Sequence, residues 1–373
     1  MDPDALREDV PVTGEVAYFN TGASGPSTRS AVEAVSEFQA YHEFESPAGE
    51  GFYSAGFGAF EEVRETVAAF VGAAPEEVTL TESTTHGINL IASSIDWNPG
   101  DTVVRTGVEH PSGRLPWERL EDTHDIETEI VEGDRGRFDH EDFAAAMDDA
   151  RLVCLSAVSW NYGTRLPVRE VAEIGTETDT LVLVDAVQVP GQYPLDVAEW
   201  GADFVVGSGH KWLLGPWGTG FLWLSDAARR SLRPTWIGPR GVEDMAAEGY
   251  SYTDDAGMFE LTTTPVAVYK GLEAAIETIE SVGVGTVRNR IERLTDRLKT
   301  RVEDDRLLSP RAYESGLVSV DVADPKAAVE RLREDGLVVR SIPDPACVRA
   351  SVHAFNTREE VDRLASALRD TEG

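Results

Sequence analysis

Apolar and polar positions follow two different periods along the chain, and the switch between them marks its elements. Compact runs rich in Val, Leu and Ile at residues 78–81, 101–106, 152–158, 181–185 and 203–207 read as strands buried in a sheet. Between them, residues 60–71, 140–147 and 168–176 repeat apolar positions three and four apart, as amphipathic helices do. Strands separated by helices imply βαβ units and a mainly parallel sheet, whose ligands gather at the carboxyl ends of the strands.

From Pro265 the period stays helical to about Val302, long enough to bridge two domains. Strand-like runs return at residues 316–322, 336–342 and 348–353, with helices expected at 325–335 and 357–368, the last opened by a Thr357/Glu360 capping box. The pattern divides into a large domain over residues 15–265 and a small C-terminal α+β domain over residues 266–373, which residues 1–14 join. A chain of 373 residues is long enough for such a pair.

Acidic residues outnumber basic ones 67 to 33, giving a net charge of -34 spread along the chain. Such a surface repels polyanions, so no nucleic acid and no membrane is expected as a partner. Lysine is almost absent: Lys211, Lys270, Lys299 and Lys326 are all there are. An acid excess carrying its cations as arginine suits high salt and implies a halophilic protein whose compactness depends on ionic strength. Two cysteines, Cys154 and Cys347, argue against a disulfide framework and fit a reducing cytoplasm. The acidic N-terminus lacks the apolar core of a signal peptide, and no apolar run approaches the roughly 20 residues of a membrane span. A soluble cytoplasmic protein is expected.

The scarcity of lysine makes Lys211 conspicuous. It follows an apolar strand within Gly207-Ser208-Gly209-His210-Lys211-Trp212, where glycines would turn the backbone sharply and bring a side chain to the sheet edge. Beside Trp212 and Leu213 the ammonium would sit in a dry pocket, its pKa lowered and its amine nucleophilic towards an aldehyde. The competing reading is a surface lysine on a loop. Asp185 ends the preceding strand; buried there, it needs a cation such as a protonated pyridine nitrogen, unless it merely caps a following helix. Gln188, three residues on, could reach a ring's phenolic oxygen. Glu82-Ser83-Thr84-Thr85-His86-Gly87 joins a strand to a helix, and hydroxyls with free N–H groups at a helix N-terminus suit a phosphate.

Taken in order, Thr84-Thr85, Glu109-His110, Asp185-x-x-Gln188, Ser208-Gly209-His210-Lys211 and Arg349-Ala350-Ser351 resemble the class V aminotransferases of PLP fold type I. That group includes cysteine desulfurases and isopenicillin N epimerase-like proteins. The resemblance runs from about Tyr18 to Leu368. It implies an α/β, PLP-dependent transferase fold type I, with a mainly parallel seven-stranded sheet in the large domain and pyridoxal 5′-phosphate (PLP) as cofactor. Lys211 would hold PLP as a Schiff base and later move the proton at the substrate α-carbon. Asp185 would pair with the pyridine nitrogen, Gln188 contact the phenolic oxygen, His110 stack on the ring, and Thr84, Thr85, Ser208 and His210 hold the phosphate. Phe259-Glu260-Leu261-Thr262-Thr263 is similar to a family segment whose threonine reaches the neighbouring subunit's phosphate, so Thr263 implies a homodimer. Arg349 would grip the α-carboxylate of an amino-acid substrate, a task for a bidentate donor. The segment from Tyr18 to Ser24, with Ala23, would line the substrate entrance.

Two departures from the family pattern bear on the reaction. Desulfurases carry a nucleophilic cysteine on a mobile loop between an arginine-bearing strand and the Arg-Ala-Ser strand. Here only residues 341–348 separate Arg340 from Arg349, and Pro343 and Pro345 stiffen them. Cys347 then reads as a structural thiol in a strand and Cys154 as core. Desulfurases also carry asparagine directly after the serine, where Trp160 follows Ser159; either Asn161 supplies that contact or it is lost. The expected function is a PLP-dependent enzyme acting on an amino acid, aminotransferase-like, with cysteine desulfurase or C–S lyase chemistry as the alternative. His86, His110 and His210 match no short metal-ligand spacing, and the glycine-rich 215–220 segment reads as a turn rather than a dinucleotide cradle. Lys211, Asp185 and Arg349 together argue against a non-catalytic scaffold.

Overall fold

The computed structural model describes residues 1–369, so residues 370–373 of the expected small domain lie outside the described residues. Seven strands form the central sheet: β1 (Val78–Thr81), β2 (Thr102–Thr106), β3 (Glu127–Val131), β4 (Leu152–Ser156), β5 (Leu181–Asp185), β6 (Phe204–Ser208) and β7 (Gly220–Leu224). Their order is β1-β7-β6-β5-β4-β2-β3, and only β7 runs antiparallel to its neighbours. The other strands therefore present their carboxyl ends at one edge, where β7 begins.

Strands β4, β6 and β7 are buried at every residue, which is why they read as apolar runs without alternation. Their alternate side chains nevertheless part to opposite faces. Val153 and Leu155 join a cluster with Phe60, Val63 and Val171, whereas Leu152 and Cys154 join one with Ile88, Trp117 and Leu120. Each such buried Val, Leu or Phe contributes on the order of 1.5–3 kcal/mol before ordering entropy is subtracted. Edge strand β3 exposes Glu127, Glu129 and Ile130, and its polar run gives no strand signal in the sequence.

The C-terminal part holds a second, antiparallel sheet of β8 (Leu317–Val320), β9 (Arg340–Pro343) and β10 (Ala346–Ser351), in the order β9-β10-β8. The expected strand at 336–342 is split: Leu337–Val338 pairs with Ala17–Tyr18, and β9 then turns into a hairpin with β10. Helices Pro325–Glu334 and Arg358–Arg369 pack on this sheet through Leu332, Val361 and Leu364. The capping box forms as its residues predict, the Thr357 amide donating to Glu360 Oε2 at 3.0 Å and the Glu360 amide to Thr357 Oγ1 at 3.2 Å.

The long helical stretch is two helices, Val266–Val282 and Val284–Lys299, because Gly283 takes a left-handed backbone with φ 84°. Tyr269, Leu272 and Ile276 of the first belong to the large cluster under the central sheet. Arg7 ties the N-terminal helix Pro3–Glu8 to the C-terminal part, donating to the Phe355 carbonyl at 3.0 Å and to Glu360 Oε1 at 2.7 Å. No helix among the described residues is long and apolar enough to cross a membrane.

Candidate active site

The carboxyl ends of β1, β2, β4, β5 and β6 converge on one cleft, which Arg340 and Arg349 of the small sheet close from the other side. Lys211 stands three residues past Ser208, the last residue of β6. Gly209 serves close packing there rather than the sharp turn expected of it: a Cβ would lie 2.5 Å from Leu272 Cδ1 and from Thr219 Oγ1, and its φ is not left-handed. The left-handed residue is Leu214, φ 61°, which closes the turn on the Lys211 carbonyl. Fully buried Trp212 and Leu214 anchor the segment and leave Lys211 partly open to the cleft. Its amine has no hydrogen-bond or ion-pair partner among the described residues. Burial lowers its pKa to about 8, opposed by the Asp185 carboxylate and aided by Arg349 and Arg340.

Asp185 ends β5 and is buried. One of its oxygens accepts the Val187 amide at 2.9 Å. Burial raises its pKa above the ordinary value, opposed by that hydrogen bond and by the Lys211 charge. A cation brought to this carboxylate would restore its ionised form. Gln188 also lines the cleft, its Nε2 donating to the Gly22 carbonyl at 3.0 Å.

At the opposite end of the cleft lies a group of hydroxyls. Ser83 caps helix Thr84–Ser94 by accepting the His86 amide, which leaves Thr84 and Thr85 in the first turn. The Thr84 amide donates to Ser208 Oγ at 2.9 Å, and the two hydroxyl oxygens lie 2.8 Å apart. Thr85 donates to Ser112 Oγ at 2.7 Å, and the Ser112 amide donates to His110 Nδ1 at 3.2 Å. Nδ1 is thus an acceptor, and the ring proton sits on Nε2. Burial, then the charges of Lys211, Arg340 and Arg349, lower the His110 pKa to about 4; burial and Lys211 do the same for His210. Both imidazoles are neutral at neutral pH. The Trp160 ring meets His110 edge-on, with centroids 5.2 Å apart at 89°.

Arg349 lies on β10, 1% exposed. Its Nη1 donates to the Trp160 carbonyl at 2.5 Å, while Nε and Nη2 have no hydrogen-bond partner among the described residues. Burial lowers its pKa to about 9, and Arg340 adds to the shift. A buried guanidinium with unused donors is destabilising until an anion meets it.

Ala23 lines the cleft with Gly22. Asn161, proposed from the sequence as a substrate contact, is not brought to it. Asn161 turns away, its Nδ2 donating to the Asp344 carbonyl at 3.3 Å and its own carbonyl accepting from Ser319 Oγ, so Trp160 takes the cleft position instead. Thr263 is exposed and lines separate clefts with Leu261, Thr264 and Pro265. Conversely, Arg340, Trp160 and Ser112 line the cleft without having been assigned to it. Arg340 reaches the cleft because β9 and β10 turn back on each other at Asp344-Pro345, which sets it opposite Arg349. Glu109 lies behind the cleft, buried, accepting from Thr106 Oγ1 at 2.5 Å, the Ser156 amide at 3.0 Å and Ser156 Oγ at 2.6 Å.

Residues 17–364 match the family model of the class-V aminotransferases. A probable cysteine desulfurase of Methanothermobacter thermautotrophicus is 31% identical over 400 aligned positions, covering 100% of this chain and 99% of that protein. The apo structure of cysteine desulfurase from Thermococcus onnurineus NA1 superposes with a TM-score of 0.91 at 30% identity, covering 99% of this chain and 98% of that one. The cystine C–S lyase C-DES, solved with its reaction product cysteine persulfide, gives a TM-score of 0.92 at 26% identity over 98% of this chain and 100% of its own. A lysine-to-alanine mutant of C-DES holds glycine covalently linked to its PLP cofactor. With the family match spanning most of its length, the chain belongs to the class V aminotransferase family.

Proposed function

We propose that the protein is a PLP-dependent C–S lyase that opens a sulfur-containing amino acid by elimination. The observation that carries this reading over desulfuration is the turn between β9 and β10. Only Asp344 and Pro345 stand where a desulfurase carries its cysteine loop, and Cys347 is paired in β10 opposite Ile342, fully buried.

The residues present fit PLP. The first-turn hydroxyls of Thr84 and Thr85 with Ser208 and His210 suit a phosphate, the buried Asp185 suits a pyridinium, and the unpartnered Lys211 amine suits an aldehyde. Bound PLP supplies an electron sink for the bonding electrons at the substrate α-carbon. Asp185 would keep a proton on the ring nitrogen, Gln188 would meet the phenolic oxygen, and neutral His110, which Trp160 meets edge-on, would lie against the ring. Arg349 gives its unused Nε and Nη2 donors to the α-carboxylate, which fixes the bonds at the α-carbon. Lys211, once its amine is free, takes the α-proton. The Cβ–S electron pair then leaves with sulfur, and L-cysteine plus water yields hydrogen sulfide, pyruvate and ammonia.

The test is product analysis with L-cysteine as substrate. Pyruvate and sulfide in equal amounts support elimination, whereas alanine without pyruvate overturns it. Desulfuration to alanine is the second reading, favoured by the relatives named as desulfurases, and it requires an acceptor thiol other than Cys347.

The working form is proposed to be a cytoplasmic homodimer adapted to salt. Support comes from exposed Thr263 beside the exposed apolar side chains of Trp236 and Leu261, and from the net charge of -34. Sedimentation across a KCl series tests both features: a monomer at all concentrations, or a fold indifferent to salt, contradicts the corresponding one.

A further inference from the structure

The glycine-rich turn at residues 215–220 joins the lysine segment to β7 and takes no part in the proposed chemistry. It carries Trp217, which is 74% exposed. A large aromatic side chain left in water gains little from burial, so its specific contacts are what hold it. The indole N–H donates to Ser24 Oγ at 2.7 Å, and the ring meets the His210 imidazole edge-on, with centroids 6.1 Å apart at 63°. The turn beneath is fixed: Gly218 takes a left-handed φ of 83°, and Thr219 Oγ1 donates to the Pro216 carbonyl at 2.7 Å.

Both partners of Trp217 border the cleft. Ser24 follows Ala23 of the cleft wall, and His210 lies at the end where the hydroxyls gather. The His210 imidazole makes no hydrogen bond among the described residues, so no polar contact sets the orientation of its ring. A neutral imidazole carries one N–H, and the ring's rotation decides whether that N–H meets an anion. The main chain around it has no such freedom. The Gly25 amide donates to the His210 carbonyl at 2.7 Å, and a Cβ on Gly25 would lie 2.1 Å from the Lys211 carbonyl oxygen. What remains free is the imidazole, and the ring that meets it is Trp217.

We propose that Trp217 is a positioning residue for cofactor binding. Ser24 anchors the indole, and the indole holds the His210 ring so that its N–H faces the phosphate of PLP. This rests on the phosphate role of His210 proposed above and adds to it a side chain that does not itself line the cleft.

Absorbance titration of the apo protein at one fixed KCl concentration, with PLP and with pyridoxal, which lacks the phosphate, separates that contact from the rest. The ratio of the two dissociation constants is expected to shrink about three- to ten-fold in Trp217→Ala, the range of one hydrogen bond, with the affinity for pyridoxal unchanged. Trp217→Phe keeps a ring against His210 and should recover part of the ratio. Because the side chain is exposed, both variants should melt within about 3 °C of the wild type. A ratio that survives Trp217→Ala intact, or one lost together with a larger fall in melting temperature, overturns the proposal and leaves the cofactor reading standing. A wild type that binds pyridoxal as tightly as PLP overturns the phosphate reading and the proposal with it.

Discussion

The indole N–H of Trp212 donates to Gln188 Oε1 at 2.8 Å, and that bond fixes which way the Gln188 amide faces. Nε2 is thereby directed to the Gly22 carbonyl at 3.0 Å, with its second hydrogen free for the cleft. One side chain ties together the lysine segment, the loop after Asp185 and the entrance segment. Trp212 and Gln188 are 0% and 1% exposed, so water does not replace either bond.

Replacing Gln188 by Ala strands the Trp212 N–H and the Gly22 carbonyl in a dry interior. The expected cost is about 2–4 kcal/mol of stability, from two unsatisfied buried groups. Urea unfolding of the apo protein measures it. A loss below about 0.5 kcal/mol would show that the bond is incidental.

Glu109 gives stability a pH dependence of definite sign. Burial raises its pKa from 4.5 to about 7, despite hydrogen bonds from Ser156 and Thr106. Between those values the native state binds more protons than the unfolded chain, so the contribution is present at low pH and lost as pH rises through about 7. The difference in unfolding free energy between wild type and Glu109→Gln should shift by about 3 kcal/mol from pH 4 to pH 8, with the variant gaining on the wild type. A difference that does not change with pH contradicts the assignment.

The amine of Lys211 sets the pH at which the apo protein takes up its cofactor. Its pKa is lowered to about 8, so the nucleophilic fraction saturates above that pH. Stopped-flow mixing with PLP should show a rate that climbs through pH 8 and levels off, whereas an exposed lysine with a pKa near about 10.4 would still be gaining at pH 10. A rate still rising there would place the reactive amine outside the cleft.

Cys347 should be dispensable. Burial pushes its thiol up to about 11, which leaves little thiolate near neutrality, and its strand register holds it opposite Ile342. Cys347→Ser should release pyruvate from L-cysteine at a rate within about two-fold of wild type. A fall of more than about ten-fold would restore a role for this thiol.

Much of this was legible in the sequence, for reasons that also explain the rest. Strands β4, β5 and β6 announce themselves because both faces are buried, and the Thr357/Glu360 cap because it is a local hydrogen-bond pair. Lys211, Asp185 and Thr84 stand at strand ends, which a chain pattern can locate. Strand β3 is polar at the sheet edge, and the break at Gly283 is a left-handed residue inside an unbroken apolar period; neither leaves a local signal. Trp160 and Asn161 are neighbours, and only the contact of Asn161 with the β9-β10 turn decides which of them faces the cleft. Hairpin pairing likewise sets Arg340 opposite Arg349, a tertiary fact that two separated arginines do not declare.

Attachment of PLP to Lys211 is tested most directly by borohydride reduction of the holoenzyme followed by peptide mass spectrometry. The expected result is a visible absorbance band that reduction bleaches, a pyridoxyl phosphate adduct on the peptide containing Lys211, and neither in Lys211→Ala. An adduct on Lys270, Lys299 or Lys326, or a protein that never takes up PLP, would contradict it.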